Sequence, residues 1–454
     1  MKVPLNYKDA GGTEIDVAIS RISTAKKGKR RGVLVINPGG PALPGLDVPG
    51  ERIASLPSSV LDQYDLIGFD PRGVQHSTPQ SCGLGGLQAV DLFPYPAADG
   101  SITANVKFAR STAEKCASSA DGKNLKYYTT ANTARDLDQI RQALGEKKLS
   151  YWGQSYGTYL GAVYRSLFPD RTDRMVLEGN IDPAKAWQGE FAGWSKGMAD
   201  RFPDAAAAAA AQNDTLGLGA TAAKVTRTYL TLADRLDRKP VTFPGTSASL
   251  TGPLLRNLTY ALLEHNETIP ALTQIWKAAL DLADGSLTKA DAAVLKQAAA
   301  TGATSAAGVP ADNQTTMFLA LSCGDAAWSK DVDGYTSGTA ADRASYPLTA
   351  GMPADIWACS FWKDKPIEAP VTVTGKGSRD VLLLQNKRDN ATPYEGAVGL
   401  RDALAKSAAF VSVDNGGHYV YNEGSQCADA AMVSFLGGGR LPSKDVYCTD
   451  VSAK

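Results

Sequence analysis

Apolar runs alternate with amphipathic segments over the first part of the chain. Short runs rich in Val, Leu and Ile occur at residues 32–36 and 175–177, with helical patterns between them. Strand-like runs return at Val371 and Val381, whereas alanine-rich helical segments dominate the stretch between. Alternating strands and helices are typical of a parallel sheet with crossover helices. The pattern therefore predicts an α/β fold with a mainly parallel central sheet and an inserted helical cap.

The change of character divides the chain into three segments. Residues 1–183 and 351–454 are predicted to form the two parts of the α/β core, and residues 184–350 the helical cap. A chain of 454 residues can bury a core of this size. An alanine run at residues 205–211 is predicted to be helical, because alanine has the highest helix propensity.

The sequence Gly-Gln-Ser-Tyr-Gly at residues 153–157 fits a G-x-S-x-G nucleophile elbow. Residues 148–152 can form a short buried strand before it, and a helical pattern follows it. In this strand–turn–helix context the turn exposes a serine hydroxyl, and a Cβ at either glycine would strike the neighbouring chain. Ser155 is therefore predicted to be a catalytic nucleophile, as in the α/β-hydrolases.

A serine needs a base, and the chain has three histidines. The order serine, acid, histidine along α/β-hydrolases favours His418, which follows a late apolar run in a glycine-rich loop. His76 and His265 are better interpreted as surface or cap residues. Asp389 follows the strand-like run at 380–385 and is predicted to orient the imidazole of His418.

An acyl-transfer site also needs donors for the oxyanion. Residues 37–41 follow a buried strand and read Asn-Pro-Gly-Gly-Pro, which brings the backbone close to a ligand. The amides of Gly40 and Tyr156 are the predicted donors.

Five ordered motifs make the chain resemble secreted actinobacterial exopeptidases, the tripeptidyl aminopeptidase-like members of the proline iminopeptidase group of α/β-hydrolases. They lie at residues 37–41, 65–73, 153–157, 389–393 and 417–418. The resemblance implies a serine peptidase that releases short peptides or residues from free N-termini. One departure is Ala42-Leu43-Pro44, where such enzymes continue with Gly and Ser. It motivates an alternative, an esterase or amidase acting on a small natural product on the same machinery. A non-catalytic binding protein is a third hypothesis, which the complete Ser–Asp–His set disfavours.

An aminopeptidase must neutralise a cationic α-amino group with carboxylates at a fixed distance from the serine. The predicted substrate-binding candidates share a position in the cap or after a core strand: Glu178, Asp182, Glu264, Glu267 and Asp325. The partner is therefore expected to be a peptide or other small-molecule substrate.

Six cysteines, an even number, favour an oxidising compartment. Six allow 15 connectivities, and pairing of neighbours in sequence is preferred: Cys82 with Cys116, Cys323 with Cys359, and Cys427 with Cys448. Six reduced cysteines are the alternative. The first residues are polar rather than signal-like, and a secreted chain that has lost its leader is the expectation.

Charge and composition exclude other classes. Lys plus Arg equals Asp plus Glu, so the formal net charge is zero and no nucleic-acid or anionic-membrane partner is indicated. No apolar run is long enough to span a membrane. Because no C-x-x-C pair is present, no metal site is predicted, and no cofactor is expected.

Overall fold

The computed structural model describes residues 1–9, 11–87, 89–244, 246–299 and 306–451. Its strands, in chain order, are β1 Lys2–Pro4, β2 Glu14–Asp16, β3 Ile19–Ile22, β4 Gly32–Asn37, β5 Tyr64–Phe69, β6 Leu149–Gln154, β7 Thr172–Glu178, β8 Val241–Thr242, β9 Ser249–Leu250, β10 Val381–Arg388, β11 Ala408–Gly416 and β12 Val446–Cys448.

The α-helices lie on both faces of the sheet and in a long stretch between β7 and β10. They are α1 Val48–Ile53, α2 Ser58–Leu61, α3 Thr103–Ser118, α4 Thr130–Ala143, α5 Tyr156–Leu167, α6 Gln188–Ala211, α7 Asn213–Leu216, α8 Ala222–Arg238, α9 Gly252–Leu262, α10 Ile269–Asp284, α11 Lys289–Ala299, α12 Asn313–Gly324, α13 Val332–Ser345, α14 Tyr394–Leu404 and α15 Gln426–Leu436.

A central sheet organises the molecule. Across the described ranges it has eight strands in the order β12-β11-β10-β7-β6-β4-β5-β3, and only the edge strand β3 runs antiparallel to its neighbour. Strands β4, β6, β7 and β10 are nearly continuous runs of buried residues, as expected for strands covered on both faces. The predicted α/β-hydrolase architecture is confirmed.

Parallel strands bring their carboxyl ends to one edge of the sheet, where ligands bind in open α/β folds. Strands β4, β6, β7, β10 and β11 all end at that edge. The loops that follow them carry the residues singled out as nucleophile, acid, base and amide donors. The topology alone therefore gathers residues that are far apart in sequence.

Most of the helices between β7 and β10 belong to two packing units, whereas Tyr335 of α13 packs in a small separate cluster with Ile102 and Ile356. Helices α8 to α10 and the later part of α6, which contains the alanine run, share a hydrophobic core of their own. Helix α12 instead packs into the main core through Met317, Phe318 and Leu319. The cap is thus a helical layer that is continuous with the sheet domain on one side.

Three disulfides link the predicted neighbours: Cys82–Cys116, Cys323–Cys359 and Cys427–Cys448. The second joins the end of α12 to a short helical turn at Ala358–Phe361, beside Trp357. Disulfides of this kind persist in oxidising compartments. Among the described helices, none is both long and apolar enough to cross a bilayer.

Candidate active site

Ser155 occupies the sharp turn between β6 and α5. Its φ angle is +55°, a left-handed conformation that is costly for a residue with a side chain. A Cβ at Gly153 would lie 2.3 Å from the carbonyl oxygen of Gly157, and one at Gly157 would lie 2.7 Å from Oδ1 of Asn37. The two glycines are therefore a steric requirement of the turn.

The loop after β4 passes directly beside this turn. A Cβ at Gly39 would lie 2.8 Å from the Cβ of Ser155, so the backbone approaches the serine closely only because a glycine is there. The Gly39 amide donates to Oδ1 of Asn37 at 3.1 Å. No described residue accepts a hydrogen bond from the Gly40 amide. The Tyr156 amide opens helix α5 and has no intrahelical acceptor.

His418 and Asp389 contact each other through their side chains. The His418 Nδ1 lies 3.0 Å from Oδ2 and 3.1 Å from Oδ1 of Asp389, and both side chains are buried. The carboxylate also accepts hydrogen bonds from the amides of Ala391 and Thr392, the hydroxyl of Thr392 and the side-chain amide of Gln385. With Nδ1 held by the acid, Nε2 is left for proton transfer.

The charge on Asp389 changes the basicity of the imidazole. Burial by itself lowers the pKa of His418, but the charge and hydrogen bond of Asp389, aided by the charges of Glu264 and Glu178, raise it to about 9. The imidazolium form is thus strongly stabilised, which suits a base that becomes cationic during acyl transfer.

An open pocket of about 740 Å³, including its mouth, has Ser155 and His418 in its wall. Gly40 and Leu43 line it from the loop after β4. Most of the remaining wall is aromatic or acidic. Phe93 comes from the first part of the core, and the cap segment contributes Trp187, Glu190, Phe191, Trp194, Tyr260, Glu264 and Phe318.

Two family models match the chain. Residues 32–257 match the model described as "alpha/beta hydrolase fold", and residues 347–448 match the model described as "TAP-like protein". The tripeptidyl aminopeptidase of Streptomyces lividans is 34% identical over 98% of this chain and 82% of its own length. The chain belongs to the tripeptidyl aminopeptidase family of α/β-hydrolases.

Other family members carry different names. The serine protease Hip1 of Mycobacterium tuberculosis is 30% identical over 99% of this chain and 86% of its own. The carboxylesterase B of the same organism is 31% identical over 99% of this chain and 85% of its own length. With the α/β-hydrolase fold, these relatives make the chain a serine peptidase or hydrolase.

Glu264 is the one predicted substrate-binding carboxylate that the described pocket wall contains. Glu267 is exposed, three residues further on in the loop between α9 and α10. Asp182 is buried outside the pocket, where Oδ1 accepts the amide of Ala184 at 2.9 Å. The structure therefore does not bring Asp182 and Glu267 to the serine.

Glu178 and Asp325 have protein donors in place of a substrate. The carboxylate of Glu178 accepts four hydrogen bonds, from two side chains and two backbone amides. That of Asp325 accepts the amide and hydroxyl of Thr130 and the indole N–H of Trp187. Both side chains hold the surroundings of the site and lie outside the wall of the pocket.

Glu190 lines the pocket and was missed by the sequence reasoning. It stands in helix α6 beside Phe191 and Trp194, and Trp187 directly precedes the helix, so Glu190 is an acid on an otherwise aromatic face. In the sequence, Glu190 is marked only as a charged residue at an apolar helical position. The sequence does not show that this face of α6 lines the same pocket as Ser155.

The two pocket carboxylates have unmet hydrogen-bonding capacity. Within the described chain, Oε1 of Glu190 has no partner, and no residue donates to the Glu264 carboxylate. Burial raises the pKa of Glu190 to about 8, and the charges of Asp389 and Asp182 act in the same direction. Burial also raises the pKa of Glu264, against the opposing charges of His418 and His265. Both acids would gain from a bound cation.

Proposed function

We propose that the chain is a secreted serine aminopeptidase that releases short peptides or single residues from free N-termini. Ser155 attacks the scissile carbonyl while His418 takes its proton, and Asp389 stabilises the imidazolium that results. The amides of Gly40 and Tyr156 bind the oxyanion. His418 then protonates the leaving amine. A water next gives a proton to His418 and attacks the acyl carbon, and His418 returns that proton to the Ser155 oxygen as the N-terminal fragment leaves.

The observation that carries the exopeptidase specificity is the pair of acids in the pocket. Glu190 and Glu264 are the acidic side chains of the described wall, and they share it with Ser155 and His418. A protonated α-amino group supplies hydrogen-bond donors and a positive charge. The Glu190 carboxylate receives no hydrogen bond from its neighbours in the described wall. An internal peptide bond has no such group, so a substrate cut in the middle of a chain would leave both acids unpaired, which is costly in a buried site.

The aromatic wall fits the rest of such a substrate. Phe93, Trp194 and Tyr260 contact one another, and Phe191 stacks on Phe318. These rings give the side chains of an N-terminal fragment a large apolar surface at little conformational cost. The names of the Streptomyces and Hip1 relatives agree with a peptide as substrate.

Product analysis tests this proposal. Peptides of increasing length with free N-termini are incubated with the enzyme, and the fragments are identified by mass spectrometry. We expect fragments taken from the N-terminus only, and none with Ser155→Ala. Cleavage at internal bonds, at rates equal to those at the N-terminus, would refute the exopeptidase assignment.

An esterase or amidase is the second candidate, favoured by the apolar side chain of Leu43 in the pocket and by the name of the carboxylesterase B relative. Two aryl esters with the same leaving group, one of an amino acid and one of the matching acyl group without its amine, separate the two. If the ester without an amino group is turned over at least as fast as the aminoacyl ester, and no free-amine anilide is cleaved, the esterase assignment replaces the peptidase one.

A further inference from the structure

Glu178 ends strand β7 at the carboxyl edge of the sheet, between the strands that lead to the nucleophile and to the acid. It pairs in register with Gln154 on β6 and with Leu384 on β10. The next residue, Gly179, has a φ angle of +66°, and a Cβ there would lie 2.8 Å from Cε1 of His418. The end of this strand therefore abuts the imidazole directly.

The side chain of Glu178 joins two parts of the site. On one side Oε1 accepts hydrogen bonds from the indole of Trp152 at 2.9 Å and from the side-chain amide of Gln154 at 2.6 Å. On the other side Oε2 accepts the amides of Val420 at 3.1 Å and Tyr421 at 2.9 Å, in the loop that carries His418.

The backbone of the same residue contacts the nucleophile. The carbonyl oxygen of Glu178 accepts the amide of Ser155 at 2.9 Å. One residue thus bonds the serine through its main chain and the histidine loop through its side chain. Relative movement of the two would break at least one of these bonds.

The donors around Glu178 explain why an acid is needed there. All four are uncharged N–H groups, and a carboxylate is acceptor-only with room for about four of them. A glutamine would offer one oxygen and turn an NH₂ group toward N–H donors. The residue is fully buried, so water cannot make up the loss.

We propose that Glu178 is a positioning residue for acyl transfer, holding the loop of His418 in register with Ser155. The proposal rests on the serine chemistry proposed above but not on recognition of a free amine. It assigns to Glu178 a role in the geometry of the base instead of the substrate contact that its sequence position suggested.

The variant Glu178→Gln, assayed on a neutral aryl ester, tests the role. We expect kcat to fall about 10- to 100-fold, because small displacements of a reacting group cost rates of this order, while KM stays within a few-fold of wild type. The negative charge of Glu178 helps to raise the pKa of His418, so its removal should move the acid limb of kcat/KM to lower pH. A loss of packing alone would not move that limb.

A second variant, Glu178→Asp, separates charge from reach. It keeps the carboxylate but is one methylene too short to bond both sides, so kcat should fall while the acid limb stays near the wild-type position. It also carries the test if the glutamine variant does not fold.

Asp380→Asn is the matched control. Asp380 is a buried carboxylate at the opposite end of the neighbouring strand, bonded to Arg165 and Thr172. Its loss should lower the melting temperature and leave kcat and the acid limb unchanged.

Two results would overturn the positioning role. One is a wild-type kcat and acid limb in Glu178→Gln. The other is an equal effect of Asp380→Asn, which would make the change a matter of stability. Because the ester has no amino group, the test remains valid even if the aminopeptidase assignment fails. Ester turnover by Ser155→Ala at the wild-type rate would overturn the positioning role as well, because Ser155 would then not be the nucleophile.

Discussion

Asp389 on the hydrolase side of the pocket and Glu190 on the cap side are both buried carboxylates, yet they differ in their partners. Asp389 bonds the imidazole of His418 and three further residues. Oε1 of Glu190 has no partner in the described chain. The comparison extends to Glu178, whose carboxylate accepts four hydrogen bonds, and to Glu264, whose carboxylate accepts none from the part of the chain that the structure describes. In the proposed function, the acids that position the catalytic groups receive their hydrogen bonds from the protein, whereas the two acids proposed to bind the substrate would receive theirs from it.

The largest expected effect concerns the hydrolase side. Ser155→Ala should lower kcat/KM by about 10⁴- to 10⁶-fold on peptides and esters alike, because it removes the attacking atom. The melting temperature should change little, since only one hydroxyl is lost. Steady-state kinetics and thermal unfolding measure the two quantities. Near wild-type turnover would mean that another residue is the nucleophile.

On the cap side, Glu190→Gln and Glu264→Gln should act on amine substrates only. We expect kcat/KM for a free-amine anilide to fall about 10²-fold or more, since leaving one member of a buried ion pair alone costs several kcal/mol. Hydrolysis of a neutral ester should change little. Glu267→Gln, at an exposed position in the same loop, is the control for Glu264 and should behave as wild type. Equal losses on both substrates would contradict the division.

The pH profile separates the two sides as well. His418 must be neutral to accept a proton, and a raised pKa keeps it protonated to higher pH. The kcat/KM for a neutral ester should therefore still rise above pH 7, because the pKa of His418 is about 9. With an ordinary histidine, whose pKa is about 6.5, kcat/KM would already level off near neutral pH. For a free-amine substrate an alkaline limb should follow, above roughly pH 8, where the amine loses its proton. A single limb centred at or below about pH 6.5 would contradict the electrostatics of the site.

The disulfides provide a structural test of the cap wall. Replacing Cys323 and Cys359 by serine should lower the free energy of unfolding by about 2–4 kcal/mol. It should also raise KM more than it lowers kcat, because the bond holds the turn next to Trp357, whose ring packs on Phe191 and Trp194 in the pocket wall.

The serine variant of the Cys427–Cys448 pair is the control for that effect. Both residues lie outside the pocket wall, so it should lose stability and keep its KM. Titration of the denatured, unreduced wild type should find no free thiol.

The smallest expected effect is a gain in the free energy of unfolding when Glu190 is replaced at high pH. The pKa of Glu190 is raised from 4.5 to about 8 on folding, so the folded state binds the extra proton and wild-type stability falls as pH rises through that window. Glu190→Gln should therefore be more stable than wild type by about 1–3 kcal/mol at pH 9 and similar at pH 5. Denaturant unfolding at both pH values checks this. Destabilisation at pH 9 would show that Glu190 supports the fold.

Much of this picture was accessible from the sequence because its determinants are local. The elbow around Ser155 needs glycines within two residues, and the strand runs before Asp389 and His418 fix the edge at which both emerge. Parallel pairing then brings them together whatever the intervening cap does. The disulfides were predictable because each joins two cysteines that are neighbours in the order of cysteines along the chain.

The substrate side was less accessible because it depends on packing between distant elements. Glu178 and Asp325 were candidates because they lie after a core strand and in the cap, and only the structure shows that Trp152, Thr130 and other protein donors already bind them. Glu190 is a pocket acid only because α6 packs so that this face lines the same pocket as Ser155. Chain position identified acids near the site but could not say which of them were unpartnered.

The most direct test of the account compares one free-amine anilide with its N-acetylated twin, on wild type and on the Glu190→Gln, Glu264→Gln double variant. The wild-type enzyme should prefer the free amine by at least about 10²-fold in kcat/KM, and the double variant should lose most of that preference by losing activity on the free substrate alone. Equal kcat/KM for the two substrates with the wild-type enzyme would contradict the claim that the unpartnered acids of the cap recognise an N-terminus.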